Sequence, residues 1–122
     1  MKSLVIVAHG SRRQASNEEV KVLAAKVEQH LPSGFSGVKV AFLELASPSI
    51  EATIDACYEE GASEVVVLPY FLSEGTHVAK DVPSEVGKAM DKWPDKKIDI
   101  VPHIGSLDSM IDLILSVCTT AD

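Results

Sequence analysis

Four short apolar runs that read as strands alternate with four stretches of helical spacing, and this alternation restricts the possible folds more than any other feature of the chain. The first run, Lys2 to Ala8, is a continuous Leu-Val-Ile-Val stretch of the kind seen where both faces of a strand are buried. Ser16 with Glu19 then reads as a capping box, and Val20, Leu23, Ala24, Val27 and Leu31 recur at helical spacing until Pro32-Ser33-Gly34 stops them. A second strand is expected over Val38 to Leu43. Ser47-Pro48 follows as an N-cap and first-turn pair for a helix through Ile50, Ile54 and Tyr58, which Gly61 ends.

The third strand, Glu64 to Leu68, runs into Pro69-Tyr70-Phe71-Leu72 and the loop Ser73-Glu74-Gly75-Thr76-His77. The helical stretch beyond is expected to kink or restart at Pro83 and to end near Trp93-Pro94. Lys97 to Val101 makes the last strand and Leu107 to Val117 the last helix. Strict alternation implies right-handed crossovers, hence a single α/β lobe over residues 1–122: a parallel sheet of about four strands with helices on both faces.

With 46% hydrophobic residues in 122, the chain can bury a core as one domain, and no linker or repeat divides it. Its 18 acidic and 11 basic residues leave a formal net charge of −7, which argues against a nucleic-acid partner and means that any anion site must be built locally. The first apolar run stops at His9, short of a signal peptide and of the roughly 20 apolar residues a membrane span needs. Cys57 and Cys118 form no CxxC pair, so the expected setting is a reducing cytoplasm with no membrane partner.

In open parallel sheets the ligand crevice lies beyond the carboxyl ends of the strands. That rule selects Ala8 to Arg12, Glu44 to Ser47, Leu72 to His77 and Pro102 to Gly105. His9, His77 and His103 all fall there, while His30 sits near a helix end, where the dipole explains it. Neutral imidazole binds borderline divalent metals and titrates near neutrality, so histidines gathered at one edge suggest acid–base or metal chemistry. Taken alone, His9 serves equally well as a loop brace and His77 as a helix cap; together in one crevice they point to function. His103, between Pro102 and Gly105, stays open. Competing motifs are weak: Ser11 lacks a GxSxG elbow, and neither a GxGxxG nor a Walker loop is present.

Val5 to Arg12, Phe42 to Pro48, and Leu68 to Val78 with Asp81-Val82-Pro83 closely resemble the CbiX/SirB group of class II tetrapyrrole chelatases, in order and at matching intervals. The resemblance implies insertion of a divalent metal, typically Co2+ with Fe2+ or Ni2+ in relatives, into sirohydrochlorin on the routes to cobalamin or sirohaem, without an organic cofactor. By position, His9 would be the proton acceptor and a metal ligand, and His77 the second ligand. Glu44 and the loop Leu72, Ser73, Glu74, Gly75, Thr76 and His77 would form the substrate surface. Arg12, Arg13 and Lys80 are candidates for the substrate's carboxylates, and Phe71, Leu72, Leu43 and Leu45 for its apolar disc. Longer class II chelatases have two such lobes around the site, so the resemblance implies a homodimer; apolar residues on the last helix or the second one are candidates for its interface, and the sequence does not choose between them. A carrier that binds metal or tetrapyrrole without turnover keeps the same residues. A small hydrolase using Ser11 is the third, weaker reading.

Overall fold

A computed structural model describes residues 1–120, the side chains of His77 and Thr120 lying outside the described set. The elements run β1 (Lys2–Ala8), α1 (Gln14–Glu28), β2 (Phe35–Phe42), α2 (Ile50–Glu59), β3 (Glu64–Pro69), α3 (Thr76–Lys92), β4 (Lys97–Ile100), a 3₁₀ turn (Ile104–Ser106) and α4 (Ser109–Thr120). All strands are parallel, in the order β2-β1-β3-β4. The expected α/β architecture is therefore present.

Alternate strand residues decide which face is the core. Val5, Val7, Ala41, Val65, Val67 and Ile98 point to one face and pack on Ile50, Ile54 and Cys57 of α2 and on Val82, Val86 and Ala89 of α3. The chain moves one way from β1 to β2 and the other way from β2 through β3 to β4. With right-handed crossovers, that reversal puts α1 on the face opposite α2 and α3. It also opens the switch point between the carboxyl ends of β1 and β3, where a ligand crevice is expected.

Several boundaries differ from the sequence expectation. Helix α1 begins at Gln14 with Arg13 as N-cap and no side-chain cap, so Ser16 lies within the first turn and its capping box does not form. The same helix stops at Glu28, whose carboxylate instead accepts from Val38 N–H at 3.0 Å, short of Leu31. The cap of α2 is Ser49, not Ser47: its hydroxyl accepts from Ala52 N–H at 3.2 Å. Pro48 precedes the helix, and its carbonyl accepts from Phe42 N–H at 2.9 Å, extending the path of β2. Helix α3 runs through Pro83 without restarting. Val82, Val86 and Ala89 are buried on the sheet, and that packing outweighs the roughly 3 kcal/mol an interior proline costs a helix. At the far end, the 3₁₀ turn delays the start of α4 from Leu107 to Ser109. The large apolar residues of α2, Ile50, Ile54 and Tyr58, are core residues, so of the two helices suggested as an interface only α4 presents large apolar residues to solvent. Among the described residues no helix is long and apolar enough to cross a membrane.

Candidate active site

Hydrogen bonding between β1 and β2 continues past the strands and brings the first two predicted segments together. Leu43 N–H donates to Ala8 O at 2.9 Å and Glu44 N–H to His9 O at 3.0 Å, carrying Glu44 alongside His9. Gly10 makes this possible. Its φ is +95°, and a Cβ there would stand 1.8 Å from the Glu44 carbonyl oxygen. Leu45, next to Glu44, is held at φ +64°, a conformation uncommon for a residue with a large side chain.

His9 and Glu44 are both about half exposed, with Nε2 and Oε1 3.2 Å apart. The other ring nitrogen, Nδ1, lies 3.2 Å from Gly10 O. Donation of Nδ1–H to that carbonyl turns the Nε2 lone pair towards the carboxylate, and two electron-rich atoms so placed invite a proton or a cation between them. An ion about 2.1 Å from each would subtend roughly 100°, an angle both tetrahedral and octahedral centres accommodate. The pair is two ligands and no more: among the described residues no group of three His, Cys, Asp or Glu could hold a metal.

The third segment reaches the same edge from β3. Tyr70 N–H donates to Val7 O at 2.7 Å, placing the loop that follows it beside the end of β1. Leu72, Ser73, Glu74, Gly75 and Thr76 are exposed, with Gly75 as N-cap of α3 and Thr76 as its first residue. His77 is the next helical residue; its side chain lies outside the described residues. Below His9 a cavity of about 240 Å³ is lined by Ala8, Asn17, Phe42, Tyr70 and Phe71 among others. The candidates for covering an apolar disc divide. Leu45 and Leu72 are exposed, whereas Leu43 and Phe71 pack against the core.

The fourth segment braces the third. Gly105 N–H donates to Phe71 O at 3.0 Å, and the backbones approach so closely that a Cβ on Gly105 would meet Leu72 O at 1.7 Å. Nδ1 of His103 is 3.6 Å from Oε2 of Glu74. His103, open in the sequence, thus stands behind the loop beside Glu74. Arg12, Arg13 and Lys80 are exposed and have no ion pair among the described residues. Ser11 has a structural part: its hydroxyl accepts from Arg13 N–H at 3.0 Å, while His9 turns its nitrogens to Gly10 and Glu44.

Sequence reasoning missed Asn17. This buried residue clasps the His9 loop through two bonds, Ser11 N–H to Oδ1 at 2.9 Å and Nδ2–H to Ser11 O at 2.8 Å. The signal was present, since position 17 continues the apolar stripe of Val20, Ala24 and Val27 one turn earlier, and a polar side chain on a buried stripe demands a partner. Replacing Asn17 by Ala should lower stability by about 1–3 kcal/mol, because the loop's N–H and C=O lose their buried partner. Thermal denaturation reads this directly, and an unchanged melting temperature would show that water replaces the amide.

The chain matches the CbiX family over residues 3–121. It is 28% identical to the sirohydrochlorin ferrochelatase of Priestia megaterium, over 94% of this chain and 42% of that protein. It is 35% identical to the sirohydrochlorin cobaltochelatase of Methanopyrus kandleri, over 78% of this chain and 64% of that one. Its fold superposes on the sirohydrochlorin chelatase SirB from Bacillus subtilis subspecies spizizenii, solved in complex with cobalt, with a TM-score of 0.83 and 25% identity, covering 98% of this chain and 50% of that chain. The chain thus spans about half the length of the curated relatives it matches.

Proposed function

The chain belongs to the CbiX family, and from that premise we propose that it inserts a divalent metal into sirohydrochlorin, with Co2+ ahead of Ni2+ and Fe2+ as the ion delivered. The observation that carries the reading is the His9–Glu44 pair, 3.2 Å apart at the carboxyl edge of the sheet, beside a loop of exposed residues that a flat ring could rest on.

Insertion removes protons from pyrrole nitrogens, so a base must stand beside the ring centre. In this reading neutral His9 first holds the incoming ion and then, once the ion has moved into the ring, accepts a pyrrole proton. Glu44, and His77 at the start of α3, complete a sphere kept deliberately short of four protein ligands. A closed tetrahedral site retains its metal, whereas an open one lets it leave. Leu72 and Leu45 cover the ring, and Arg12, Arg13 and Lys80 meet the carboxylates along its rim. We place the ring between two copies of the lobe, residues 1–122 of each, in the cytoplasm.

The test is anaerobic incubation of the protein with sirohydrochlorin and Co2+, Ni2+ or Fe2+ in turn, followed by visible spectroscopy against a protein-free blank. Insertion well above the blank is expected, and its rates rank the metals. Glu44→Gln keeps the shape but loses the charge, and should slow insertion by about tenfold or more by weakening the metal's second ligand. Ring and ion bound without turnover would make the chain a carrier. Full activity in Glu44→Gln would remove Glu44 from the site.

A further inference from the structure

The orientation of the His9 ring hangs on one carbonyl. Among the described residues its nitrogens meet the Gly10 oxygen and the Glu44 carboxylate, each at 3.2 Å, and the ring is about half exposed, so packing alone does not set it. A metal ion seated between Nε2 and Glu44 requires Nε2 to be bare. The ring proton must then sit on Nδ1, and Gly10 O is the acceptor in place to receive it.

Glycine turns freely, so the peptide that follows Gly10 keeps its direction only where something holds it. Gly10 C=O and Ser11 N–H belong to that one planar unit, which is trans, and they point opposite ways. Asn17, only 4% exposed, accepts the Ser11 N–H on Oδ1 at 2.9 Å, from the buried side. Pinning the N–H inward turns the carbonyl outward, to His9. Nδ2–H of the same side chain donates to Ser11 O at 2.8 Å, so an N–H faces one end of the amide and a carbonyl the other, and the two ends cannot be exchanged. The Ser11 hydroxyl is engaged elsewhere, accepting from Arg13 N–H at 3.0 Å, which leaves Asn17 to hold the backbone on both sides of Ser11.

We propose that Asn17 is a positioning residue for the metal pair: through the Gly10–Ser11 peptide it holds the His9 proton on Nδ1 and so presents Nε2, with Glu44, to the ion. This role rests on the metal-insertion reading of His9 and Glu44 and adds the contacts that stand behind it. The line runs from Asn17 Oδ1 through Ser11 N–H and Gly10 C=O to His9 Nδ1–H, each hydrogen bond polarising the next. A clasp that merely stiffened the loop would have no preference between the two nitrogens of His9.

Zn2+ is a diamagnetic ion that imidazole binds, and nitrogen-15 labelling of the histidine rings shows which nitrogen it occupies. In the wild type zinc should sit on Nε2 of His9 with the proton on Nδ1, the signals being identified by their loss in His9→Ala. Asn17→Ala, measured well below its melting temperature, should bind zinc about 10–100-fold more weakly, with each nitrogen of His9 occupied in part. Metal insertion should fall about as far in kcat, with KM for the ring unchanged. Asn17→Asp, whose buried carboxyl keeps its proton and repeats both bonds, should return zinc affinity to within a few-fold of wild type. Zinc on Nδ1 in the wild type would overturn the role, as would a folded Asn17→Ala with unchanged affinity and zinc on Nε2 alone. So would a folded Asn17→Asp that binds no tighter than Asn17→Ala. A wild type that holds zinc on Nε2 but inserts no metal leaves the positioning of His9 standing and removes the metal-insertion reading.

Discussion

His9→Ala should lower metal insertion by roughly 10²–10⁴-fold, the range a positioned general base contributes, and leave the melting temperature near that of wild type. The two halves of this expectation come from different observations. Activity should fall because, in the proposed mechanism, His9 offers the metal its nitrogen ligand beside Glu44 and then the base for the pyrrole proton. Stability should hold because the ring is about half exposed and its hydrogen bond is to the adjacent residue, so its removal opens no cavity and strands no distant group. Exogenous imidazole should restore part of the rate, as expected for a base that fills the space the ring has left. His77→Ala is expected to lose insertion too. If His9→Ala instead unfolds, or keeps full activity, His9 is a brace and the site lies elsewhere.

Gly10→Ala should be strongly destabilising, by about 2–4 kcal/mol, lowering the melting temperature by about 10 °C. Two effects add. At φ +95° an alanine is strained, and its Cβ would stand 1.8 Å from the Glu44 carbonyl oxygen, so the Glu44 backbone must shift. Gly61 separates them. Its φ is +97°, yet nothing lies within 4 Å of an added Cβ, so Gly61→Ala carries the strain alone, about 1 kcal/mol. Equal melting temperatures for the two variants would show that the loop after β2 yields freely. Unequal ones, with insertion lost only in Gly10→Ala, would show that Gly10 sets the His9–Glu44 spacing.

The order of elements was legible because each signal is local. A continuous Leu-Val-Ile-Val run needs burial on both faces, and helical recurrence of apolar residues needs a sheet to lie on. Boundaries were less legible where a side chain had two competing uses. Ser16 had the right neighbours for a capping box, but the clasp of Asn17 on Ser11 sets the first turn at Gln14. Ser47 preceded a proline, yet Ser49 is free to cap because the Pro48 carbonyl is bonded to Phe42. Pro83 looked like a break until its buried neighbours on α3 outweighed it.

The sequence by itself determined the parallel α/β lobe, and it determined that His9, Glu44 and the Leu72–His77 loop share one sheet edge. Handed crossovers send every strand the same way, so whatever follows a strand arrives at the same side. Only the tertiary structure decided which of these groups meet. The His9–Glu44 distance depends on the β1–β2 register, in which Ala8 stands opposite Phe42. The bracing of the loop depends on two glycine backbones approaching other chain segments across 34 and 33 residues. The position of α1, alone on its face of the sheet, depends on the reversal of strand order. Periodicity reports whether a residue is buried relative to its neighbours in the chain, whereas the distance between remote groups is set by register and packing, which no local pattern encodes.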